Sequence, residues 1–185
     1  MRLDSTADNA VMEPTHSALI VAVPEAEPAV SRHRARLDEG ASWGVPAHVT
    51  VLYPFLPPAE IDETVLGTLG RVAASVPAFF LTLNGLGWFG DRVVWLAPSP
   101  PGPFRELTAA VIARFPAAQP YGGGFDEIVP HLTLGKDHPV DVLTAAGEAV
   151  LPHLPIHARV DTLRLIAGRP APGGPWHTRA EFALG

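Results

Sequence analysis

The sequence predicts an α+β protein with mainly antiparallel sheets. Short β-branched runs alternate with amphipathic segments, two neighbouring strands are joined by a tight turn, and proline and glycine separate most segments. The 185 residues are 47% hydrophobic, which is enough to bury one sizeable core. We therefore expect a single folded unit over residues 16–185, preceded by a flexible tail over residues 1–15, which are polar and mixed in charge.

The first half of the chain alternates between strands and helices. Residues 17–23 are an apolar, β-branched run that ends at a proline, which predicts a buried strand. Residues 25–39 space apolar side chains among charges, which predicts a helix with its stop at Gly40. Residues 48–55 alternate in β-forming residues, as a strand does. Residues 59–75 have helical spacing and acidic residues in the first turn, where the helix dipole favours them.

The second half of the chain contains more consecutive strands. Residues 79–89 and 92–97 are predicted to form a hairpin around Gly90 and Asp91. Residues 104–115 place large apolar side chains on one helical face, and residues 141–151 are also predicted to be helical. The remaining predicted strands cover residues 131–135, 157–167 and 176–184.

Composition excludes several classes of function. The chain has no cysteine, so disulfides and thiolate chemistry are excluded. No apolar run approaches the roughly 20 residues of a membrane helix, and the N-terminus lacks the pattern of a signal peptide. The net charge of −6 argues against an extended nucleic-acid surface. We expect a cytoplasmic monomer without a membrane partner.

Two segments of the chain resemble each other, VPAHVTVL at residues 45–52 and IVPHLTLG at residues 128–135. Each has a proline shortly before a His-x-Thr motif, and the two motifs are separated by close to half of the chain. Because residues i and i+2 of a strand share a face, His48 should point the same way as Thr50, and His131 the same way as Thr133. The pattern suggests a degenerate duplication with one copy per lobe. If the lobes pair about a two-fold axis, both polar pairs converge in one cleft.

Such a cleft suits the cleavage of a phosphodiester. Imidazoles titrate near neutral pH, so one can accept a proton while the other, charged, donates one. The threonine hydroxyls can donate to non-bridging phosphate oxygens and stabilise the transition state. An imidazolium supplies positive charge directly, so we expect no metal and no cofactor.

The segments PAHVTVLYPF at 46–55 and PHLTLG at 130–135 resemble the two-histidine phosphoesterase superfamily, specifically its 2′-5′ RNA ligase-like branch. The resemblance implies a bilobal, pseudo-two-fold fold in which two mainly antiparallel sheets line a central cleft, with helices on the outer faces. It implies hydrolysis of 2′,3′-cyclic phosphates or related nucleotide and RNA-end phosphodiesters, with 2′-5′ ligation as the reverse reaction. By the same resemblance, His48 and His131 are the acid–base pair, and Thr50 and Thr133 bind the phosphate.

Two alternatives stay open. The cleft could bind a nucleotide or phosphorylated metabolite without turning it over. The protein could also join RNA ends, although ligation competes with about 55 M water unless the ends are held together. The acidic balance favours a small nucleotide over a long RNA as the substrate.

Three further residues are candidates for lining the cleft. Lys136 follows the second motif and could attract phosphate, and Arg92 could act similarly. Tyr121 lies beside a run of three glycines and could cover the cleft or stack on a base. Each can equally be an ordinary surface residue.

Three tryptophans offer faces for stacking on a base: Trp43, Trp95 and Trp176. For Trp95, which lies in an apolar strand, we favour core packing. His153 and His157 have the i, i+4 spacing of metal ligands, but nearby prolines disrupt a helix there, so we assign them no function.

Overall fold

The structure is a computed structural model that describes residues 13–120, 128–170 and 173–185. Within these residues the strands are β1 (His16–Ala22), β2 (His48–Leu52), β3 (Phe79–Phe89), β4 (Val93–Ser99), β5 (Leu132–Lys136), β6 (Ile156–Val160), β7 (Thr162–Arg169) and β8 (Gly174–Ala183). The α-helices are α1 (Glu27–Leu37), α2 (Glu39–Ser42), α3 (Glu63–Ala74), α4 (Gly102–Arg114) and α5 (Val140–Val150).

The strands form two four-stranded sheets in which every pairing is antiparallel. The strand order is β2-β1-β7-β8 in the first sheet and β5-β4-β3-β6 in the second. One face of each sheet packs against helices, and α3 lies on β8 while α5 lies on β4 and β5. The predicted α+β class and the bilobal arrangement of antiparallel sheets are therefore confirmed.

The two lobes meet where the edge strands β2 and β5 contact each other. Helix α1, which follows a strand of the first sheet, packs on β5 of the second sheet. Helix α4, which follows a strand of the second sheet, packs on β2 of the first. The hydroxyl of Thr108 on α4 donates to the Val51 carbonyl of β2 at 2.9 Å. Each edge strand is thus supported by a helix from the other lobe.

The predicted single strand over residues 157–167 is wrong. The segment is divided at Asp161 into β6, which pairs with β3 of the second sheet, and β7, which pairs with β1 and β8 of the first. Apolar residues alternate with polar ones up to Val160 and again from Leu163, but the alternation shifts by one residue at the two consecutive polar residues Asp161 and Thr162. The exposed Asp161 is the position where the chain passes from one sheet to the other.

The helix ends also differ from the prediction. Helix α1 ends at Leu37, before Gly40, because Asp38 adopts an extended conformation and begins the short helix α2. The Asp38 carboxylate caps α2 by accepting a hydrogen bond from the Gly40 amide at 3.2 Å. Helix α3 begins at Glu63, four residues later than predicted. Asp62 caps this helix by accepting a hydrogen bond from the Val65 amide at 2.9 Å.

One further prediction is confirmed, and others concern residues that the structure does not describe. The β3–β4 hairpin is confirmed, and Gly90 in its turn has a φ of +57°, which glycine adopts readily. The amide of Thr15 donates to the Gly168 carbonyl at 3.0 Å, which attaches the start of the described chain to the end of β7. Tyr121 and the glycine run lie outside the described residues, as do residues 1–12, so the tail stays a prediction.

None of the helices in the described ranges combines the length and the apolar character needed to cross a bilayer.

Gly135 provides a test of the contact between α1 and β5. A Cβ atom there would lie 2.8 Å from Leu37 Cβ and 2.9 Å from a methyl group of Leu143. We expect Gly135→Ala to lower the free energy of unfolding by about 1–3 kcal/mol through overpacking. Gly85→Ala is the matched control, because a Cβ at Gly85 meets no atom within 4 Å. Urea unfolding curves that coincide for the two variants would contradict this close packing.

Candidate active site

The first His-x-Thr motif lies on β2, the edge strand of the first sheet. The side chains of Val49 and Val51 are buried in the core. His48 and Thr50 alternate with these valines and are half-buried on the opposite face of the strand. The strand therefore turns its apolar side to the core and α4, and its polar side away from them, as strand alternation predicts.

The second motif repeats this arrangement at β5. Leu132 and Leu134 are fully buried, whereas Thr133 is half-buried on the opposite face. His131 lies one residue before the first residue of β5 and is also half-buried. The predicted equivalence of the two segments therefore extends to their place in the fold, at the edge of one sheet and of the other.

The structure brings the two motifs into one neighbourhood. The edge strands β2 and β5 contact each other, and a charge on His131 acts on His48, where it lowers the pKa. Two imidazoles and two hydroxyls from separate halves of the chain thus share the junction between the lobes.

The same backbone contact holds both imidazole rings. Nδ1 of His48 lies 2.8 Å from the Pro46 carbonyl oxygen, and Nδ1 of His131 lies 2.7 Å from the Val129 carbonyl oxygen. A carbonyl oxygen only accepts, so each Nδ1 must carry the hydrogen that it donates. The other nitrogen, Nε2, is then the unprotonated one in each neutral ring, free to accept a proton.

Both histidines are held in the neutral form. Burial lowers the pKa of His48 to about 4, and the nearby Arg34 guanidinium adds to this effect. The hydrogen bond to Pro46 and the Asp38 carboxylate oppose it in part. Burial also lowers the pKa of His131, against the effect of its carbonyl bond. Near pH 7 both rings are therefore uncharged unless an anion enters the site.

An aromatic wall, formed by Phe89 and Trp95, packs beside His131. The Phe89 and His131 rings are nearly perpendicular with centroids 4.9 Å apart, and the Trp95 centroid lies 5.9 Å from that of His131. Trp95 lies opposite Thr133 in the sheet, on the side away from the core. A Cβ on Gly87 would lie 2.2 Å from the indole, so only glycine leaves room for this ring.

The expectation that Trp95 belongs to the core is therefore wrong, because the register of β4 turns it toward the motif face. Phe89 was not predicted as a site residue. The hairpin register contains the signal, since Gly87 and Phe89 share a face of β3 and Gly87 pairs with Trp95. This register runs without a shift from the turn to the pair of Leu86 with Leu96, so the position of the turn is enough to predict it.

The two cationic candidates lie together at the end of β5. Lys136 is half-buried, and its Cα pairs with Val93 across the sheet. Arg92 is exposed, and its Nε donates to the Asp137 carboxylate at 2.9 Å. Lys136 is the last residue of β5, the strand that carries Thr133. That Lys136 and Arg92 lie at the mouth of the cleft stays a prediction.

The remaining aromatic and histidine candidates lie apart from the motifs. Trp176 is buried with Trp43 packed against it, in an apolar cluster on the first sheet. His157 interacts with the Thr82 hydroxyl through Nδ1 at 3.1 Å. Within the part of the chain that the structure describes, no three His, Cys, Asp or Glu side chains are grouped to hold a metal ion.

Comparison with known proteins agrees with this architecture. The chain is similar to Escherichia coli LigT crystallised with NADP+, at 26% identity over 93% of this chain and 98% of that one, with a TM-score of 0.57. It is also similar in fold to the protein TT0787 of Thermus thermophilus, at 20% identity over 91% of this chain and 97% of that one, with a TM-score of 0.62. No curated protein matches the chain.

The family profile of the 2′-5′ RNA ligase superfamily matches residues 22–170, which include both His-x-Thr motifs. This match spans well over half of the chain. The protein therefore belongs to the 2′-5′ RNA ligase superfamily.

Proposed function

We propose that the protein is a metal-independent phosphoesterase that hydrolyses nucleoside 2′,3′-cyclic phosphates, with His48 and His131 as its acid–base pair. One observation carries this proposal: two imidazoles, each anchored through Nδ1 to a backbone carbonyl, lie at the start of two edge strands that contact each other. Anchoring fixes which nitrogen exchanges protons, which general acid–base catalysis requires.

The reaction needs one proton acceptor and one proton donor. The neutral imidazole removes a proton from water while the water oxygen forms a bond to phosphorus. The bond from phosphorus to one ribose oxygen breaks, and the imidazolium donates its proton to that oxygen. The product is a ribose phosphomonoester, and the two histidines end with their protonation states exchanged. Acid–base catalysis of this kind contributes about 10²–10⁴ in rate.

The depressed pKa values set a condition on this cycle. One ring must be charged, yet burial holds both neutral near pH 7. A phosphodiester anion between the rings favours the imidazolium by charge attraction. The substrate itself therefore brings the site into its active protonation state.

The two threonines are suited to bind the phosphate. Within the described residues, no hydrogen bond joins the Thr50 or Thr133 hydroxyl to another protein group. Both hydroxyls lie two residues after a catalytic histidine on the same face of the strand. They can donate to the two non-bridging oxygens and stabilise charge that accumulates in the transition state.

The nucleotide class of the substrate is supported by two observations. Structures of E. coli LigT contain NADP+, 3′-AMP and phosphate, which are nucleotides or their charged group. In this chain, Phe89 is more than one-third exposed beside His131 and offers a ring face to a base. The net charge of −6 favours a small substrate over a long RNA.

Turnover tests the proposal directly. Wild-type protein should hydrolyse nucleoside 2′,3′-cyclic phosphates with a chelator present. Chromatography of the monophosphate product measures the rate. His48→Ala and His131→Ala should each lower kcat/KM by about 10²–10⁴, and Thr50→Val or Thr133→Val by about 10²–10³. His157→Ala, on the far edge strand β6, is the matched control and should keep wild-type activity.

Calorimetry distinguishes catalysis from binding alone. If 3′-AMP binds but no cyclic phosphate is converted, the protein is a nucleotide-binding module and the proposal fails. Equal activity of wild type and His131→Ala would assign any turnover to another site.

The pH dependence of stability tests the state of His48. Its pKa is about 4 in the folded protein against 6.5 when exposed, so the unfolded chain binds more protons between these values. Stability is therefore fully present above pH 6.5 and declines as the pH falls toward 4, by up to about 3 kcal/mol. His48→Gln removes this component. The difference in unfolding free energy between wild type and variant should shift by that amount between pH 7 and 4, and a pH-independent difference would refute it.

A further inference from the structure

We propose that Glu27 and Arg34 of α1 are positioning residues for His48, which they orient by holding the backbone segment that leads into β2. The inference rests on the proposed function, because it gives these two residues a role in the reaction of His48. Neither residue touches the reacting atoms in this scheme.

Glu27 holds the residue directly before His48. Its Oε1 accepts a hydrogen bond from the Ala47 amide at 2.6 Å. The carbonyl of the same residue accepts from the Val23 amide at 2.8 Å. Both polar groups of Ala47 are thereby fixed, and its side chain is fully buried. This backbone cannot rotate without losing two hydrogen bonds.

Arg34 holds the residue three positions before His48. It follows Glu27 by seven residues, which places the two side chains on one face of α1. Its Nη2 donates to the Asp38 carboxylate at 2.9 Å and to the Val45 carbonyl at 3.3 Å. Only 2% of the Arg34 surface is exposed. Burial of a guanidinium is costly unless it is paired and hydrogen-bonded, as Arg34 is.

The two contacts enclose Pro46, whose carbonyl anchors the catalytic ring. With Val45 held by Arg34 and Ala47 held by Glu27, the Pro46 carbonyl between them has a fixed direction. That carbonyl accepts from His48 Nδ1 at 2.8 Å. The Pro46 carbonyl and the Ala47 amide belong to one planar peptide group, so two hydrogen bonds and this group connect Glu27 of α1 to the imidazole.

The second lobe repeats the hydrogen bond from a helix arginine to a backbone carbonyl. Arg105 of α4 donates through Nε to the Ile128 carbonyl at 3.4 Å. Ile128 lies three residues before His131, as Val45 lies three residues before His48. A helix arginine therefore binds the carbonyl three residues before the histidine in both copies. The copies differ because Arg34 is buried and Arg105 is exposed.

The charge of Arg34 also acts on the pKa of His48. The charged groups that act on His48 are Arg34 and His131, which lower its pKa, and Asp38, which raises it. Removal of the Arg34 charge should raise the pKa of His48, whereas removal of the Asp38 charge should lower it. General loosening of the fold does not predict shifts of opposite sign.

The first experiment is an NMR titration of the histidine rings in three proteins. Relative to the wild type, the pKa of His48 should rise in Arg34→Met and fall in Asp38→Asn. His131 is the internal reference, because its lowered pKa is caused by burial and opposed by its bond to the Val129 carbonyl. Shifts of the same sign in both variants, or none, would overturn the role of Arg34. This experiment needs no substrate, so it tests the effect of Arg34 on the pKa of His48 even if no cyclic phosphate is hydrolysed.

The second experiment isolates positioning from charge by use of Glu27. Glu27→Leu removes the acceptor for the Ala47 amide, and Glu27→Gln retains an oxygen there. We expect kcat to fall about 10-fold or more in Glu27→Leu with KM nearly unchanged, since small misplacements of a catalytic group are costly, and Glu27→Gln should restore most of it. The ¹⁵N shifts of His48 should show a mixture of tautomers in Glu27→Leu alone.

Thr108→Val is the matched control for both experiments. It breaks a buried contact between a helix and β2, at Val51, on the core side of the strand. It should leave the pKa and the tautomer of His48 unchanged. If Glu27→Leu keeps the wild-type kcat and a single tautomer, Glu27 does not position His48. If Arg34→Met does not fold, Asp38→Asn and the Glu27 pair still decide the proposal.

Discussion

The meeting of two sheet edges is the constraint on which the rest of the structure depends. Strands β2 and β5 each end a sheet, and each is backed by a helix that belongs to the other lobe. Close approach at Gly135 and the hydrogen bond from Thr108 hold these helices against the strands. Because the strands alternate, fixing their buried side also fixes the direction of both histidines. The packing of the core therefore also determines where the histidines point.

The two copies of the motif are similar in backbone and different in surroundings. Both imidazoles are anchored two residues upstream, and both arginines bind three residues upstream. Around His48 the neighbours are a buried ion pair, whereas around His131 they are two aromatic rings. A symmetric backbone thus supports two chemically distinct environments, which suits a reaction whose two proton transfers run in opposite directions.

The sequence predicts the place of both His-x-Thr motifs in the fold well because strand alternation and a repeated motif are local patterns. His48, Thr50, His131 and Thr133 all lie where these patterns place them. The division of residues 157–167 has a local signal, because the apolar alternation shifts by one residue between Val160 and Leu163, but the sequence does not show which sheet each half joins. The pairing of Trp95 with Thr133 depends on a register shift between β4 and β5, and the contacts of Arg34 depend on a helix end set by Asp38.

The passage of the chain at Asp161 has a consequence for biosynthesis. The second sheet is built from strands that lie close together in the chain, whereas the first joins β1 and β2 to the late strands β7 and β8. During translation β1 must wait for its central neighbour until β7 has left the ribosome. The second sheet can assemble meanwhile, with His131 already in place. The first sheet, whose edge strand β2 carries the first His-x-Thr motif, therefore gains its central pairing only after β7 has been made.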